Sequence, residues 1–237
     1  MSVSHPQPSL VQSSGISLAG VSLVRGNTSI FKDLSINLTE RRIGLIGNNG
    51  AGKSSLFRLI CGLDTPSAGN VHVPPSNSGA RAVGMMFQNS DEQIIFPTVA
   101  EELALSLHHL NISRTQALAQ AQQWLDAQGL GQWGARAIGA LSQGQRQRVC
   151  WWSLLLGNHQ TLLLDEPFAS LDLPNQIRLS QDIDQASPQM IVSTHQLDHV
   201  RHYDRVIWLD QGQVHADGPG TQVCAAYEAH VREQLTP

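Results

Sequence analysis

The sequence predicts an α/β protein built on a parallel sheet with helices on both faces. Two observations carry this prediction. Apolar runs of strand length recur along the chain and are separated by helical stretches, and a glycine-rich loop joins one such strand to a helix. The chain has 237 residues, 41% of them hydrophobic, which is enough to bury the core of such a domain.

An N-terminal antiparallel β subdomain is predicted ahead of the parallel sheet. Apolar residues alternate over residues 16–38 around a Gly26-Asn27 turn signal, as in short antiparallel strands. Residues 1–14 lack apolar periodicity and are expected to form a flexible tail. We therefore expect a single domain over residues 15–237.

The strands of the core sheet come next. A buried strand at Arg42–Ile46 leads through the glycine-rich loop to a helix over residues 53–61, and Gly62 follows that helix as a C-terminal cap. Further apolar runs predict strands at residues 83–87, 161–164, 190–193 and 205–209. Residues 98–126 are helical without an intervening strand, so that we expect an inserted helical subdomain over approximately residues 98–150.

Composition and charge exclude several classes of protein. The net charge is −4, so the chain lacks the basic surface by which most nucleic-acid binders neutralise phosphates, and we expect no nucleic-acid partner. No run reaches the ~18 apolar residues of a membrane span, and the N-terminus does not resemble a signal peptide. A soluble, cytoplasmic protein is therefore expected. The three cysteines lack the spacing of a zinc site or a disulfide framework.

The glycine-rich loop is Gly47-Asn48-Asn49-Gly50-Ala51-Gly52-Lys53-Ser54, a full match to the phosphate-loop pattern between a strand and a helix. Its backbone N–H groups and the helix N-terminus would hold the phosphates of ATP. Lys53, one of two lysines, would reach the β and γ phosphates, and the Ser54 hydroxyl would bind Mg²⁺. With Ser55, these residues predict a P-loop NTPase with a RecA-like sheet. Neither lysine lies in an Asn-Lys-x-Asp motif, which argues against a GTPase.

A second motif, Leu162-Leu163-Leu164-Asp165-Glu166-Pro167, delivers two carboxylates to the end of an apolar strand. Open α/β sheets bind ligands at that end of their strands. Asp165 would hold Mg²⁺, usually through water, and Glu166 would polarise a water in line with the γ phosphate. The alternative is a solvated acidic pair without chemistry. Beside a phosphate loop, the pair favours hydrolysis of ATP to ADP and phosphate.

A third motif, Ser142-Gln143-Gly144-Gln145, opens a helix that runs to about Leu156, with Ser142 and Gln145 at the spacing of a capping box. Taken alone, it predicts only a well-capped helix. With the two motifs above, the chain resembles the ATP-binding cassette (ABC) ATPases, whose signature Leu-Ser-Gly-Gly-Gln it matches except at Gln143. The resemblance covers the chain from about Ile16 to Leu209.

This resemblance implies further roles. Gln88 matches the Q-loop glutamine that meets Mg²⁺ and the attacking water, Asp172 lies in a D-loop match that crosses to a second subunit, and His195 matches the switch histidine on the γ phosphate. In this family the signature of one subunit closes over the nucleotide of the other, so the active unit is a head-to-tail dimer. The family's aromatic residue on adenine is missing near Arg25, whose guanidinium either stacks there or is simply exposed.

The branch of the family is indicated by the stretch after Gln88. Residues 89–102 resemble the ATPases of energy-coupling factor importers, and residues 40–47, residues 171–174 and Tyr227 are most similar to the biotin branch, with cobalt or nickel importers as the alternative. The resemblance implies a peripheral motor subunit at the cytoplasmic face of the inner membrane. Its partners would be a second ATPase subunit, with a homodimer favoured, a transmembrane coupling subunit and a solute-binding membrane subunit.

Two other functions compete with transport. Soluble ABC ATPases that act in DNA repair carry long coiled coils between the two halves of the site, and those that act on ribosomes carry two cassettes in one chain. Neither feature is present in this sequence. A metabolic P-loop kinase would lack the residues at 142–145 and would need an acceptor pocket, for which the sequence shows no candidate.

Overall fold

The architecture combines a six-stranded sheet, a three-stranded sheet and six α-helices in the part of the chain that the structure, a computed structural model, describes: residues 15–76 and 82–235. The predicted tail at 1–14 lies outside these residues. The strands are β1 (Ile16–Arg25), β2 (Thr28–Leu38), β3 (Arg42–Ile46), β4 (Ala68–His72), β5 (Val83–Met86), β6 (Thr161–Asp165), β7 (Gln189–Ser193), β8 (Arg205–Asp210) and β9 (Gln213–Gly218). The helices are α1 (Lys53–Ile60), α2 (Val99–Leu105), α3 (Arg114–Ala127), α4 (Gln143–Leu156), α5 (Leu173–Gln185) and α6 (Gly220–Leu235).

The large sheet confirms the predicted α/β fold. Its strand order is β5-β6-β7-β3-β8-β9, and all neighbouring pairs are parallel except β8 and β9. All five strands predicted from apolar runs belong to this sheet, because strands covered on both faces must be apolar at nearly every position. Parallel pairing brings the carboxyl ends of β3, β5, β6 and β7 to one edge.

Each face of the large sheet has its own core. On one face, Leu163, Ile191 and Ile207 pack with Phe57 of α1 and Phe31 of β2, so the antiparallel sheet β2-β1-β4 covers this side. On the other face, alternate residues of the same strands pack against α4, α5 and α6. Helices α2, α3 and α4 come between β5 and β6 in the sequence, in the region where we expect the helical subdomain. No helix in the described ranges is long and apolar enough to cross a membrane.

Three elements were not predicted from the sequence. Strands β4 and β9 lie at sheet edges and are largely exposed, so neither shows the apolar run of a core strand. Helix α6 buries only Gly220, Val223 and Cys224, which is too few residues to give a clear helical pattern. All three elements follow from tertiary packing rather than from local sequence.

Arg42 ties the start of β3 to the connection between α5 and β7. Its side chain is buried and donates hydrogen bonds to the carbonyl oxygens of Arg41 (3.0 Å), Pro188 (2.9 Å), Asp184 (3.1 Å) and Ala186. Burial lowers the pKa of Arg42, because the charged form loses solvation. The guanidinium thus provides hydrogen-bond donors to four backbone carbonyl groups.

Replacing Arg42 by Ala should lower the free energy of unfolding by about 2–4 kcal/mol, because buried carbonyl groups lose a charged donor. The control is Arg41→Ala, since Arg41 is exposed and donates only one hydrogen bond, to the Ala186 carbonyl. We expect a change of about 0.5 kcal/mol there. Urea denaturation followed by circular dichroism measures both, and equal effects would contradict the role assigned to Arg42.

Candidate active site

A cavity of about 630 Å³ opens at the carboxyl edge of the large sheet. It lies where the loops after β3, β5, β6 and β7 meet, which is the usual ligand position in an open α/β sheet. Its lining consists of Ile30, Gly47, Asn48, Asn49, Gly50, Gly52, Lys53, Ser54, Ser55, Gln88, Asp165, Glu166, His195 and Tyr227. Of the predicted phosphate-loop residues, only Ala51 is not in the lining. It is buried under the loop, where its carbonyl accepts a hydrogen bond from the Gly212 N–H (3.1 Å).

Two glycines let the phosphate loop pass between the sheets. Gly47 has φ +141°, and a Cβ atom there would lie 2.0 Å from the carbonyl oxygen of Leu209. Gly52 has φ +108°, and a Cβ atom would lie 2.7 Å from the Phe31 ring. Any larger residue would be strained in its backbone and would collide with its neighbour. The spacing of the motif is thus set by close packing as well as by ligand binding.

Lys53 brings a buried cation to the cavity. Its side chain is 7% exposed, and Nζ donates hydrogen bonds to the carbonyl oxygens of Gly47 (2.7 Å) and Asn48 (3.2 Å). Burial lowers the pKa of Lys53, while the nearby carboxylates of Glu166 and Asp165 act in the opposite direction. The ammonium group is held by weak neutral acceptors, so a phosphate oxygen would be a stronger partner for it.

Asp165 and Glu166 lie across the cavity from the phosphate loop, where β6 ends. Both are buried, with exposed fractions of 4% and 8%. Glu166 has φ +48°, an unfavourable conformation for a residue with a side chain, and its N–H donates to the Ser193 carbonyl (2.9 Å). This backbone geometry directs the carboxylate towards His195, whose Nδ1 lies 2.8 Å from Glu166 Oε2. Strain of this kind is found preferentially at functional sites.

The oxygens suited to Mg²⁺ border the same cavity. Ser54, Gln88 and Asp165 offer a hydroxyl, an amide carbonyl and a carboxylate, which are hard donors of the type Mg²⁺ prefers. Among the described residues, no group of three or more His, Cys, Asp or Glu side chains is arranged to hold a metal ion. This donor set fits an ion that takes most of its ligands from nucleotide phosphates and water.

The residues at 142–145 lie outside the cavity lining. Ser142 caps α4 through a complete capping box, in which the Gln145 N–H donates to Ser142 Oγ (3.3 Å) and the Ser142 N–H donates to Gln145 Oε1 (3.0 Å). Gln143 donates to the Ser170 hydroxyl (2.9 Å), and Asp172 caps α5 by accepting from the Asn175 N–H (3.2 Å). Both Ser142 and Asp172 are exposed. Neither residue lines the cavity of its own chain.

Arg25 is not in the cavity lining either. Its guanidinium forms an ion pair with Asp64, which also accepts hydrogen bonds from Arg58 at 3.2 Å. A stack of Arg25 on adenine would compete with this pairing. The stack therefore stays a prediction without support from the geometry.

Two side chains at the cavity were not assigned there by the sequence. Ile30 comes from β2, and Tyr227 comes from α6. Tyr227 stood out only as a point of similarity to one branch of the ABC ATPases. No local pattern places a tyrosine beside a loop that is 179 residues away in sequence.

Comparisons with known proteins agree with this arrangement. The ABC transporter family matches residues 31–169. The biotin transport ATP-binding protein BioM of Rhodobacter capsulatus is 44% identical over 220 residues, which cover 90% of this chain and 94% of that protein. The nickel import ATP-binding protein NikO of the same organism is 34% identical over 225 residues, covering 86% and 88%.

A solved structure of similar fold is cbiO1 from Clostridium perfringens, part of the ABC transporter complex cbiONQ. Its TM-score is 0.73, with 22% sequence identity, over 93% of this chain and 94% of that one. At this identity the likeness concerns the fold alone.

Lys53→Ala should weaken ATP binding by about 10²-fold or more, because the phosphates lose their charged donor at the centre of the loop. Lys32→Ala is the matched control, since Lys32 is the other lysine of the chain and is exposed on β2. Calorimetric titration with ATP measures both affinities, and circular dichroism checks that both variants fold. Near-normal affinity in Lys53→Ala would refute the phosphate-loop assignment.

Proposed function

The chain belongs to the ABC transporter family and is an ATPase coupled to transport, and from this premise we propose that it is the motor subunit of an energy-coupling factor importer for biotin. This proposal rests on one observation: the same cavity is bordered by Lys53, Asp165, Glu166, Gln88 and His195. A cation for phosphates, oxygens for Mg²⁺ and a buried carboxylate beside an imidazole are the components that ATP hydrolysis requires.

We assign the roles at the cavity as follows. The N–H groups of the phosphate loop and Lys53 bind the phosphates, and Ser54, Gln88 and Asp165 hold Mg²⁺ directly or through water. The ion, when bound, neutralises charge on the β and γ phosphates. Glu166 orients and polarises the attacking water as a general base. His195, hydrogen-bonded to Glu166 Oε2, keeps that carboxylate in place and faces the γ phosphate.

The segment at 142–145, in which Ser142 and Gln143 are exposed, supports a dimer. It lies outside the cavity of its own chain, yet it presents a capped helix N-terminus, which favours an anion. We propose that Ser142, Gln143, Gly144 and Gln145 of one chain close over the ATP held by the second chain, and that Asp172 lies at the same interface. A homodimer is the simplest arrangement, because one sequence then supplies both halves of each site.

A groove beside the helical region is the proposed contact for the transmembrane coupling subunit. Its volume is about 440 Å³, and it is lined in part by Ile95, Leu105 and His109. Ile95 is 73% exposed, although the buried Glu102 carboxylate fixes its backbone by accepting from the N–H groups of Ile95 and Phe96, both at 2.9 Å. Leu105 is also exposed and lines the same groove, and neighbouring exposed apolar side chains form the kind of patch that is found at protein contacts. The chain would thereby act peripherally at the cytoplasmic face of the inner membrane.

Biotin is favoured over nickel by the relatives. The BioM protein is 44% identical to this chain and NikO is 34% identical, each over more than four-fifths of the chain. The solute itself would be chosen by a separate membrane subunit. A cobalt or nickel importer remains the second candidate, and a soluble ABC ATPase without a transport role is the third.

Glu166→Gln should bind ATP normally but hydrolyse it about 10²–10⁴-fold more slowly, because the general base is lost while its shape is kept. The ATP-bound state should then persist, and ATP with Mg²⁺ should convert the variant to dimers on size-exclusion chromatography. ADP should not do so, since the γ phosphate is the group that both chains share. Glu233→Gln, at an exposed glutamate in α6, should behave as wild type.

Adding Ser142→Arg to Glu166→Gln should abolish the dimer and leave ATP binding intact. The large arginine side chain would stand where one chain contacts the ATP held by the other, and it would not touch the cavity of its own chain. Ser113→Arg in the same background is the matched control, since Ser113 caps α3 by an identical capping box away from the cavity. Loss of a cap should cost similar stability in both. If Glu166→Gln with Ser142→Arg still dimerises with ATP, the proposed closure across two chains is wrong.

Biotin uptake should require ATP hydrolysis by this chain, whereas the chain alone should bind neither biotin, cobalt nor nickel. Cells that carry Glu166→Gln should therefore lose uptake of labelled biotin and keep the uptake of cobalt and nickel, with Glu233→Gln as the control. Calorimetry on the isolated chain tests solute binding. Tight binding of a solute by the isolated chain, or biotin uptake that survives Glu166→Gln, would contradict the proposal.

A further inference from the structure

The C-terminal helix α6 contacts the phosphate loop through one side chain. The Tyr227 hydroxyl donates a hydrogen bond to Asn48 Oδ1 at 2.8 Å, and the same tyrosine lines the cavity. Asn48 is the second residue of the loop. None of the roles assigned above to the cavity uses this contact.

Asn48 links Tyr227 to the centre of the loop. Its backbone carbonyl accepts hydrogen bonds from Lys53 Nζ (3.2 Å) and from the Ala51 N–H (3.1 Å), which closes the turn of the loop. The side chain of Asn48 is therefore held by α6 while its backbone is held by the loop. An anchored Asn48 loses less conformational freedom when phosphates bind, and the loop is accordingly better organised in advance.

Tyr227 is itself fixed from two sides. Its ring packs edge to face on Trp208 of β8, with ring centroids 5.1 Å apart and an interplanar angle of 79°. The next residue, Glu228, forms an ion pair with Arg201, in the segment that follows His195. At the start of α6, a Cβ atom on Gly220 would lie 2.7 Å from the carbonyl oxygens of Val200 and Arg201, so the helix is packed tightly against that segment.

We propose that Tyr227 is a positioning residue for ATP, which holds Asn48 and thereby the phosphate loop in the conformation that receives the phosphates. The inference rests on the proposed function, in which this cavity binds ATP. Tyr227 acts through Asn48 and needs no contact with the nucleotide. Helix α6 then connects the phosphate loop to the segment that follows His195 in the sequence.

Tyr227→Phe tests the hydroxyl alone, because the ring that packs on Trp208 is kept. We expect the KM for ATP to rise about 3–10-fold, the effect of one lost hydrogen bond between neutral groups, while kcat stays within about twofold. Tyr203→Phe is the control, since Tyr203 is the other tyrosine of the chain and is buried outside the cavity. Steady-state hydrolysis by the full chain gives both constants.

A double-mutant cycle shows whether the effect passes through Asn48. Asn48→Ala should raise the KM by itself, and Tyr227→Phe should then add almost nothing, because the acceptor is already gone.

A spectroscopic measurement tests the same connection between ATP binding and Tyr227. In the chain labelled with 5-fluorotryptophan, ATP with Mg²⁺ should shift the ¹⁹F signal of Trp208, identified by its loss in Trp208→Phe, and Tyr227→Phe should reduce that shift.

Each result supports or overturns the inference. A KM for ATP that is unchanged in Tyr227→Phe, equally raised in Tyr203→Phe, or additively raised by Asn48→Ala and Tyr227→Phe would overturn it. The proposed function is tested separately by Lys53→Ala, and it would be contradicted if that variant bound ATP with near-normal affinity. If Lys53→Ala loses ATP while Tyr227→Phe keeps a normal KM, the cavity binds ATP and only the positioning role of Tyr227 is wrong.

Discussion

The arrangement of the site depends on the narrow space through which the phosphate loop passes. On one side the loop touches the backbone of β8 at Leu209, and on the other it touches the Phe31 ring of β2. Only glycine fits at the two contact positions, Gly47 and Gly52, so the loop joins the parallel sheet to the antiparallel sheet without a gap. Because both sheets bear on it, the loop has little freedom, and its N–H groups are organised before any phosphate arrives.

Electrostatics explains why this edge of the sheet suits a polyanion with a divalent cation. Lys53 is buried, and burial disfavours its charged form while the carboxylates of Glu166 and Asp165 across the cavity favour it. A phosphate group near Lys53 would stabilise the ammonium, and a cation near Asp165 would stabilise the carboxylate. The hydrogen bonds of Lys53 Nζ go to the neutral carbonyl oxygens of Gly47 and Asn48, so a phosphate oxygen would be a stronger partner for this cation. A nucleotide and its metal ion, bound together, would balance the charges of both Lys53 and Asp165.

The parts of the fold that could be predicted from the sequence are those with strong local signals. The strand at Arg42–Ile46 is buried at every position, and the phosphate loop follows it with a fixed spacing, so both were identified from their residues. Ser142 and Gln145 were predicted to cap a helix, and the capping box is present at the start of α4. These features depend on neighbours within a few residues of each other.

The features that the sequence did not predict depend on distant residues. The pairing of Arg25 with Asp64 joins β1 to the segment after α1, and nothing in the sequence near Arg25 indicates it. Tyr227 reaches Asn48 only because β8, β9 and α6 bring the end of the chain back to the loop. Edge strand β9 carries no apolar run, so the sequence does not predict that the C-terminal segment folds back against the phosphate loop.

The exposure of Ser142 and Gln143 supports the proposal of a site shared by two chains. In one chain, the cavity presents donors on the side of the phosphate loop and carboxylates opposite, and it lacks the helix N-terminus of α4. If a second chain supplies that N-terminus, the γ phosphate is held by donors from both chains, and the attraction between them depends on its charge. Hydrolysis would then transfer that phosphate to water, so the contact between the two chains would weaken. Under the proposed function, the carboxylate that starts hydrolysis, Glu166, would thus also set how long the closed state lasts, and this would couple ATP turnover to movement of the membrane partners.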